Sequence, residues 1–300
     1  MYDHQLSYYP TPLKEIQSRL LKESDVKLLI KCEYQNHPFT SGNKWWKLKY
    51  NLDAAARLKH HTLLTFGGAY SNHIYATAAA AKELGLKSNG IIRGEEVQPL
   101  NHTLAFAESC GMKLHYISRE DYRLKAEESF IQKLHDQFGD FYLIPEGGTN
   151  ELAVKGVAEF ASKLMKEVDF DYLCLPVGTG GTMAGIVHGM NGKKNVLGFS
   201  SLKGGGFLND EVKRWTGNSF DNWIIVVDYH FGGYAKTTDQ LINFMNEFES
   251  HHQLPLDHVY TAKMMFGIFD LVQKGFFKKG STILALHTGG LQERNSMSEF

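Results

Sequence analysis

The chain has 300 residues, room for two ordinary domains or one large one, each able to bury a substantial core. Its charges nearly balance, 32 Lys plus Arg against 33 Asp plus Glu, which argues against nucleic acid or an anionic membrane as the main partner. Three widely spaced cysteines, Cys32, Cys110 and Cys174, contain no CxxC pair and exclude neither a core thiol nor a free one, but argue against a disulfide framework or a zinc ribbon.

The opening Met1-Tyr2-Asp3-His4-Gln5 has no basic region followed by an apolar run, so no secretory leader is expected. No apolar stretch reaches the roughly 18 residues that a membrane helix needs. The expectation is a soluble, cytoplasmic protein. A turn is predicted at Asn36-His37-Pro38, with a helix starting just after Gly42-Asn43-Lys44. Segment 61–66 then reads as a strand, 70–84 as an Ala-rich helix stopped by Gly85, and 88–93 as a strand. Helix 101–110, strand 113–117, one long polar helix over 119–138 and strand 141–144 follow. After Gly147-Gly148 the alternation resumes: helix 151–168, strand 172–175, helix 182–190, strands 196–200 and 224–227, helices 237–249 and 262–274, and strand 282–286. Strands alternating with helices predict an α/β fold with parallel sheets and crossover helices. A smaller domain over 50–150 is expected inside a larger one formed by 1–49 and 151–300. A ligand would lie in the cleft, at the C-terminal ends of strands.

Several segments could carry chemistry there. Lys44 sits in Ser41-Gly42-Asn43-Lys44-Trp45-Trp46-Lys47 at a helix start, where the local field favours anions and eases loss of its proton. A neutral amine is what a Schiff base requires; the alternative is a solvated surface lysine. Phe66-Gly67-Gly68-Ala69-Tyr70-Ser71-Asn72-His73 is a strand-to-helix junction with free N–H groups for a carboxylate or phosphate, or simply an N-cap at Ser71. Gly178-Thr179-Gly180-Gly181-Thr182 follows a strand and opens a small-residue helix, a nest for phosphate or a tight turn. It is neither a P-loop nor the spaced dinucleotide fingerprint. Asp257-His258-Val259-Tyr260-Thr261-Ala262-Lys263 and His287-Thr288-Gly289-Gly290 also fall at element ends. The pairs His60-His61 and His251-His252 lack metal-site spacing, and no metal is expected.

Taken in order, these segments resemble the fold-type-II pyridoxal 5′-phosphate (PLP) family that contains D-cysteine desulfhydrase and 1-aminocyclopropane-1-carboxylate (ACC) deaminase. The likeness runs almost end to end, from Tyr9-Pro10-Thr11-Pro12-Leu13 through Gly42-Asn43-Lys44, Ser71-Asn72-His73 and Ile144-Pro145-Glu146-Gly147-Gly148-Thr149-Asn150 to His287-Thr288-Gly289-Gly290. It implies a two-domain enzyme with a mainly parallel twisted sheet in each domain. Lys44 would bind PLP, Asn72 would face the ring hydroxyl, and Gly178, Thr179, Gly180, Gly181 and Thr182 would hold the phosphate. Ser71, Asn72 and His73 would receive the substrate carboxylate, and Tyr234 and Tyr260 would be active-site tyrosines beside Lys44 and Ser71. Thr261 would partner the pyridine nitrogen and Thr288 would line the substrate site. ACC deaminases resemble a pattern with Glu at position 261 and Leu at 288, so the two threonines point to the desulfhydrases. The implied reaction is β-elimination from a small amino acid, D-cysteine giving pyruvate, sulfide and ammonia, by a homodimer. ACC deamination to 2-oxobutyrate is the alternative within enzymes, and a nucleotide-binding regulatory module the alternative outside them. Trp46 stands where the family has Arg, and Tyr70 where it has Gln; both substitutions could reshape the substrate pocket and bear on whether D-cysteine is the substrate.

Overall fold

The computed structural model describes residues 6–292, so the reading of Met1–Gln5 lies outside the described residues. The chain opens with β1 (Leu13–Ile16), α1 (Arg19–Glu23) and β2 (Lys27–Lys31), followed by α2 (Asn43–Arg57). Next come β3 (Thr62–Gly67), α3 (Asn72–Glu83), β4 (Lys87–Arg93), α4 (His102–Ser109), β5 (Met112–Ile117), α5 (Glu128–Phe138) and β6 (Tyr142–Ile144). The remainder comprises α6 (Glu151–Glu167), β7 (Tyr172–Val177), α7 (Gly181–Met190), β8 (Asn195–Ser200), α8 (Leu208–Thr216), β9 (Trp223–Val226), α9 (Asp239–His252), α10 (Thr261–Gln273) and β10 (Thr282–Leu286).

These strands form two sheets. One is four-stranded in the order β5-β4-β3-β6, and the other six-stranded in the order β1-β2-β10-β7-β8-β9. Every pairing is parallel except β1 with β2. Apolar clusters cover both faces of each sheet, the condition under which parallel strands read as continuous apolar runs. All six residues of β7 are buried, and the Cys174 thiol among them is a plain core group. Burial pushes that thiol far up from its ordinary value.

Three helices are drawn together by missing side chains. A Cβ at Gly156 on α6 would stand 2.1 Å from the Trp46 carbonyl oxygen on α2, and one at Gly189 on α7 would stand 2.3 Å from the Ala158 carbonyl oxygen. The backbones touch because glycine leaves nothing between them, so α2 and α7, which carry two of the proposed site segments, are both seated against α6.

The structure departs from expectation in two places. The long helix over 119–138 is a short 3-10 turn, Asp121–Leu124, followed by α5. The Ser118 hydroxyl accepts from the Asp121 N–H at 3.0 Å and donates to its carboxylate at 2.7 Å, which winds a separate turn before α5 can begin. The elements β1, α1 and β2 and helix α8 were not anticipated. They are four to nine residues long, too short for a clear period to stand out.

Candidate active site

The site grows from helix starts. Gly42 precedes α2 with φ +68°, and a Cβ there would lie 1.9 Å from the Thr288 carbonyl oxygen. The Asn36 amide grips Gly42 from both sides, accepting its N–H at 2.9 Å and donating to its carbonyl at 3.0 Å. The N–H of Asn43 donates to the Thr288 carbonyl at 3.3 Å. This clamp fixes where α2 starts and hence where Lys44 projects. Burial pulls the Lys44 ammonium down to about 8, with the Asp257 carboxylate pulling the other way. The solvated-lysine alternative is therefore a poor description of this group.

The glycine loop lies opposite. Gly180 caps α7 in the left-handed conformation, and the first N–H groups of α7 have no carbonyl one turn back within the helix. The Asn43 amide donates to the Thr182 hydroxyl at 2.8 Å, tying Lys44's neighbour to this loop. Lys47, one turn beyond Lys44, is buried and donates to the Gly147 carbonyl and, at 2.8 Å, to the Thr149 hydroxyl. That hydroxyl meets the Thr179 hydroxyl at 2.9 Å. Burial first and the charge of Lys44 second hold the Lys47 ammonium well below its ordinary value. Two amines thus stand close together beside a cradle of backbone N–H groups, an arrangement that an anion of about −2 charge would complete. The residues fit a phosphorylated aldehyde cofactor: an easily neutralised amine at one end, an anion cradle at the other.

At the start of α3, the Ser71 hydroxyl accepts the N–H groups of His73 and Ile74 at 3.2 and 3.3 Å, so the N-capping alternative for this residue holds. Asn72 accepts from the Gln292 amide and lies 3.1 Å from where a Cβ at Gly290 would stand. His73 turns inward. Its imidazole is enclosed, 2.8 Å from the Thr65 hydroxyl and against Gly148, and burial, then Lys44 and Lys47, hold it well below its ordinary value. A neutral, walled-in ring has no face for a substrate carboxylate. The expectation for the His73 side chain is corrected to that of a packing group beneath the site.

Helix α10 closes the ring. One oxygen of the buried Asp257 carboxylate accepts the N–H of Tyr260 at 2.8 Å, and the other accepts the N–H of Thr261 at 2.8 Å and its hydroxyl at 2.7 Å. The Thr261 hydroxyl also accepts the Asp257 N–H at 2.9 Å and is fully enclosed. The Tyr260 ring stands over the glycine loop, with its hydroxyl 3.1 Å from a Cβ built on Gly178. Tyr234 packs edge-on to it at 6.0 Å between centroids, with a hydrogen bond between the two side chains. Burial, foremost, and Tyr234 raise the Tyr260 hydroxyl well above its ordinary value. Contacts therefore link Lys44, Thr182, Thr288, Asn72, Tyr260, Thr261, Tyr234 and Gly178 into one cluster at the helix starts. Lys47, Thr149 and Asp257 belong to it too. Their three-residue spacing from Lys44, place in Gly147-Gly148-Thr149 and helix-capping context were the only signals, and none names a role.

Trp46 does not reach this cluster. It lies on the far side of α2 from Lys44, where its indole donates to the buried Glu33 carboxylate at 2.8 Å and packs on Phe160. The expectation that it reshapes the pocket is corrected. Tyr70, by contrast, is exposed at the junction before Ser71.

A family model described as pyridoxal-phosphate dependent enzyme matches residues 4–289. The bifunctional D-cysteine desulfhydrase/1-aminocyclopropane-1-carboxylate deaminase of Arabidopsis thaliana, mitochondrial, is 30% identical over 95% of this chain and 77% of its own length. The 1-aminocyclopropane-1-carboxylate deaminase of Bradyrhizobium diazoefficiens is 26% identical over 97% of this chain and 95% of its own. Among solved structures, an ACC deaminase homologue superposes with a TM-score of 0.82 at 26% identity, covering 98% of this chain and 94% of that one.

Proposed function

We propose, from the premise that this chain belongs to the pyridoxal-phosphate-dependent enzyme family and is a PLP-dependent lyase, that it deaminates a small amino acid by β-elimination, with D-cysteine as the first substrate to try. The cofactor supplies, when bound, an electron sink for the pair left at Cα. In this reading Lys44 holds it, the N–H groups of residues 179–182 and the Lys47 ammonium hold its phosphate, and Asn72 faces its ring hydroxyl. The depressed amine of Lys44 removes the Cα proton as general base. Ser71, at the N-terminus of α3, receives the substrate carboxylate in the field of that helix. Tyr260, kept protonated, is a proton donor at the leaving group, with Tyr234 on its hydroxyl.

The observation that carries D-cysteine over ACC is position 261. Its side chain is a neutral hydroxyl that donates to the buried Asp257 carboxylate, so no carboxylate stands at this position to support the ring nitrogen directly. Weaker support suits expulsion of a thiol better than opening of a cyclopropane. The second reading, ACC deamination, draws on the relatives' names, one of which carries both activities. The resemblance also carries a homodimer. Among the described residues no helix is long and apolar enough to cross a membrane.

The test is release of 2-oxo acid and sulfide from D-cysteine, L-cysteine and ACC by purified holoenzyme. Pyruvate and sulfide from D-cysteine are expected. Efficient formation of 2-oxobutyrate from ACC, with no sulfide from either cysteine, would overturn the first reading in favour of the second.

A further inference from the structure

Between β9 and α9 the chain makes a loop with an unusual backbone. Phe231 and Ala235 hold φ of +50° and +54°, flanking Gly232 at +92° and Gly233 at +119°. Left-handed non-glycine residues are strained, and persist only where surroundings impose them. Tyr234 projects from the middle of this strained stretch to meet Tyr260.

What imposes it lies beneath. Lys263 on α10 is 1% exposed, and its ammonium donates to the His230 carbonyl at 2.9 Å and to the Gly233 carbonyl at 2.6 Å. A buried cation is costly unless its hydrogens are matched, so the two carbonyls are held where the ammonium needs them. They bracket Phe231 and Gly232 and stop one residue short of Tyr234. The loop adds its own bonds, the Gly232 N–H to the His230 ring at 3.0 Å and the Gly233 N–H to the His230 carbonyl at 3.0 Å. Lys263 follows Tyr260 by three residues, about one helical turn, so one helix presents Tyr260 to the cluster and holds the loop that brings Tyr234 against it.

We propose that Lys263 is the positioning residue for Tyr234: its ammonium, through the His230 and Gly233 carbonyls, fixes the loop so that the Tyr234 hydroxyl meets Tyr260. The proposal rests on the active-site reading above for the importance of the tyrosine pair, and on contacts alone for the tether.

The test uses holoenzyme with Lys263→Met, Lys263→Arg, Tyr234→Phe and the double variant Lys263→Met/Tyr234→Phe. Hydrogen exchange reads the tether independently of any substrate. In Lys263→Met, exchange over residues 229–236 should rise about tenfold while the start of α10 and the absorption of bound cofactor stay as they were. Lys263→Arg, which keeps the charge, should recover much of the protection. In the elimination assay, Lys263→Met should lower kcat on the order of tenfold in the parent, a loss of the size that displaced catalytic groups produce. It should lower kcat little further in the Tyr234→Phe background. Unchanged exchange over 229–236, or the same fold-loss in both backgrounds, would overturn the proposal. If Lys263→Met fails to fold, Lys263→Gln, which can still serve one carbonyl, takes its place in every comparison. An enzyme inactive on all amino acids tried would sink the elimination reading, while the exchange data would still decide the tether.

Discussion

Lys44 and Lys47 lie three residues apart on one helix, yet their surroundings divide their work. Lys47 spends its hydrogens on Gly147 and Thr149, whereas the Lys44 amine has only the neighbouring Asn43 amide, at 3.2 Å, as a polar partner on its own helix. Borohydride reduction followed by peptide mapping should therefore place the pyridoxyl group on Lys44, and Lys44→Ala should lower turnover by at least about 10³-fold, since it removes anchor and base together. A label on Lys47 would refute the assignment. Imine formation needs the neutral amine, so cofactor capture by apoenzyme should accelerate with rising pH and level off above about 8, not near the 10.5 of an ordinary lysine. Stopped-flow absorbance across that range measures it.

The buried Glu33 carboxylate, which accepts from Thr11, Asn36 and Trp46, gives a prediction of opposite kind. Burial, the dominant cause, raises its pKa above the ordinary 4.5. A carboxyl raised on folding favours the folded state at acid pH, and that contribution is lost as pH rises through the folded value. An amide can serve Asn36 and Trp46 through its oxygen and Thr11 through its NH₂. Glu33→Gln should therefore gain stability relative to wild type as pH rises above about 4.5, the unfolded value, as read by urea unfolding at several pH values. A difference that does not change with pH would show that Glu33 is not raised. At this scale the sequence displayed Lys44, Asn72 and the glycine loop because each sits in a compact motif. Lys47 and Lys263 were opaque, because their partners lie 100 and about 30 residues away and only the fold brings them near.

Among the elements, the ones legible from sequence were the buried parallel strands and the helices that follow them. β7 shows why: it is apolar throughout because both faces are covered, and a turn residue stops it. The N-terminal hairpin was hidden, since β1 exposes Leu13 and buries only Ile16, and four residues cannot establish an alternation. Helix starts decide the site, so the sharpest element-level tests are at glycines. In Gly181→Val the new Cβ would meet the Thr149 side chain at 2.5–2.6 Å, pushing Thr149 off Lys47 and Thr179 and crowding the anion cradle. A folded Gly181→Val protein should bind PLP at least about tenfold more weakly, by fluorescence titration. At Gly42 the obstruction is backbone and the conformation left-handed, so Gly42→Ala should cost about 3 kcal/mol or more and loosen the Lys44 end of α2.

For the molecule as a whole, the site is spread over both sheets, so the cofactor should act as a staple. Free PLP at about 100 times its Kd would stabilise the folded state by about 2.7 kcal/mol if it binds only that state. The melting temperature should rise by several degrees, and by less in Lys44→Ala; differential scanning fluorimetry checks both. We propose that residues 50–150 form one body and the remainder of the chain another. Their boundary falls within α2, whose Trp46 side packs on α6 while Asn51 accepts from Tyr142 beside the smaller sheet, which makes that helix the shared element.

The strand order has a further consequence, for synthesis. The four-stranded sheet draws on one unbroken stretch, residues 62–144, and every strand it needs has left the ribosome while the second half of the chain is still being made. The six-stranded sheet cannot close so early. Its third strand in space, β10, comes after all its sheet-mates in the chain, and until it arrives β2 and β7 each present a bare parallel edge toward the other. At about 5–20 residues per second, the 105 or so residues between β7 and β10 leave those edges open for roughly 5–20 seconds. The Thr288 carbonyl against which Gly42 packs arrives later still, so Lys44 is seated only after nearly the whole chain has been translated. A nascent chain of this protein should therefore depend on chaperones most while its larger sheet waits for its middle strand.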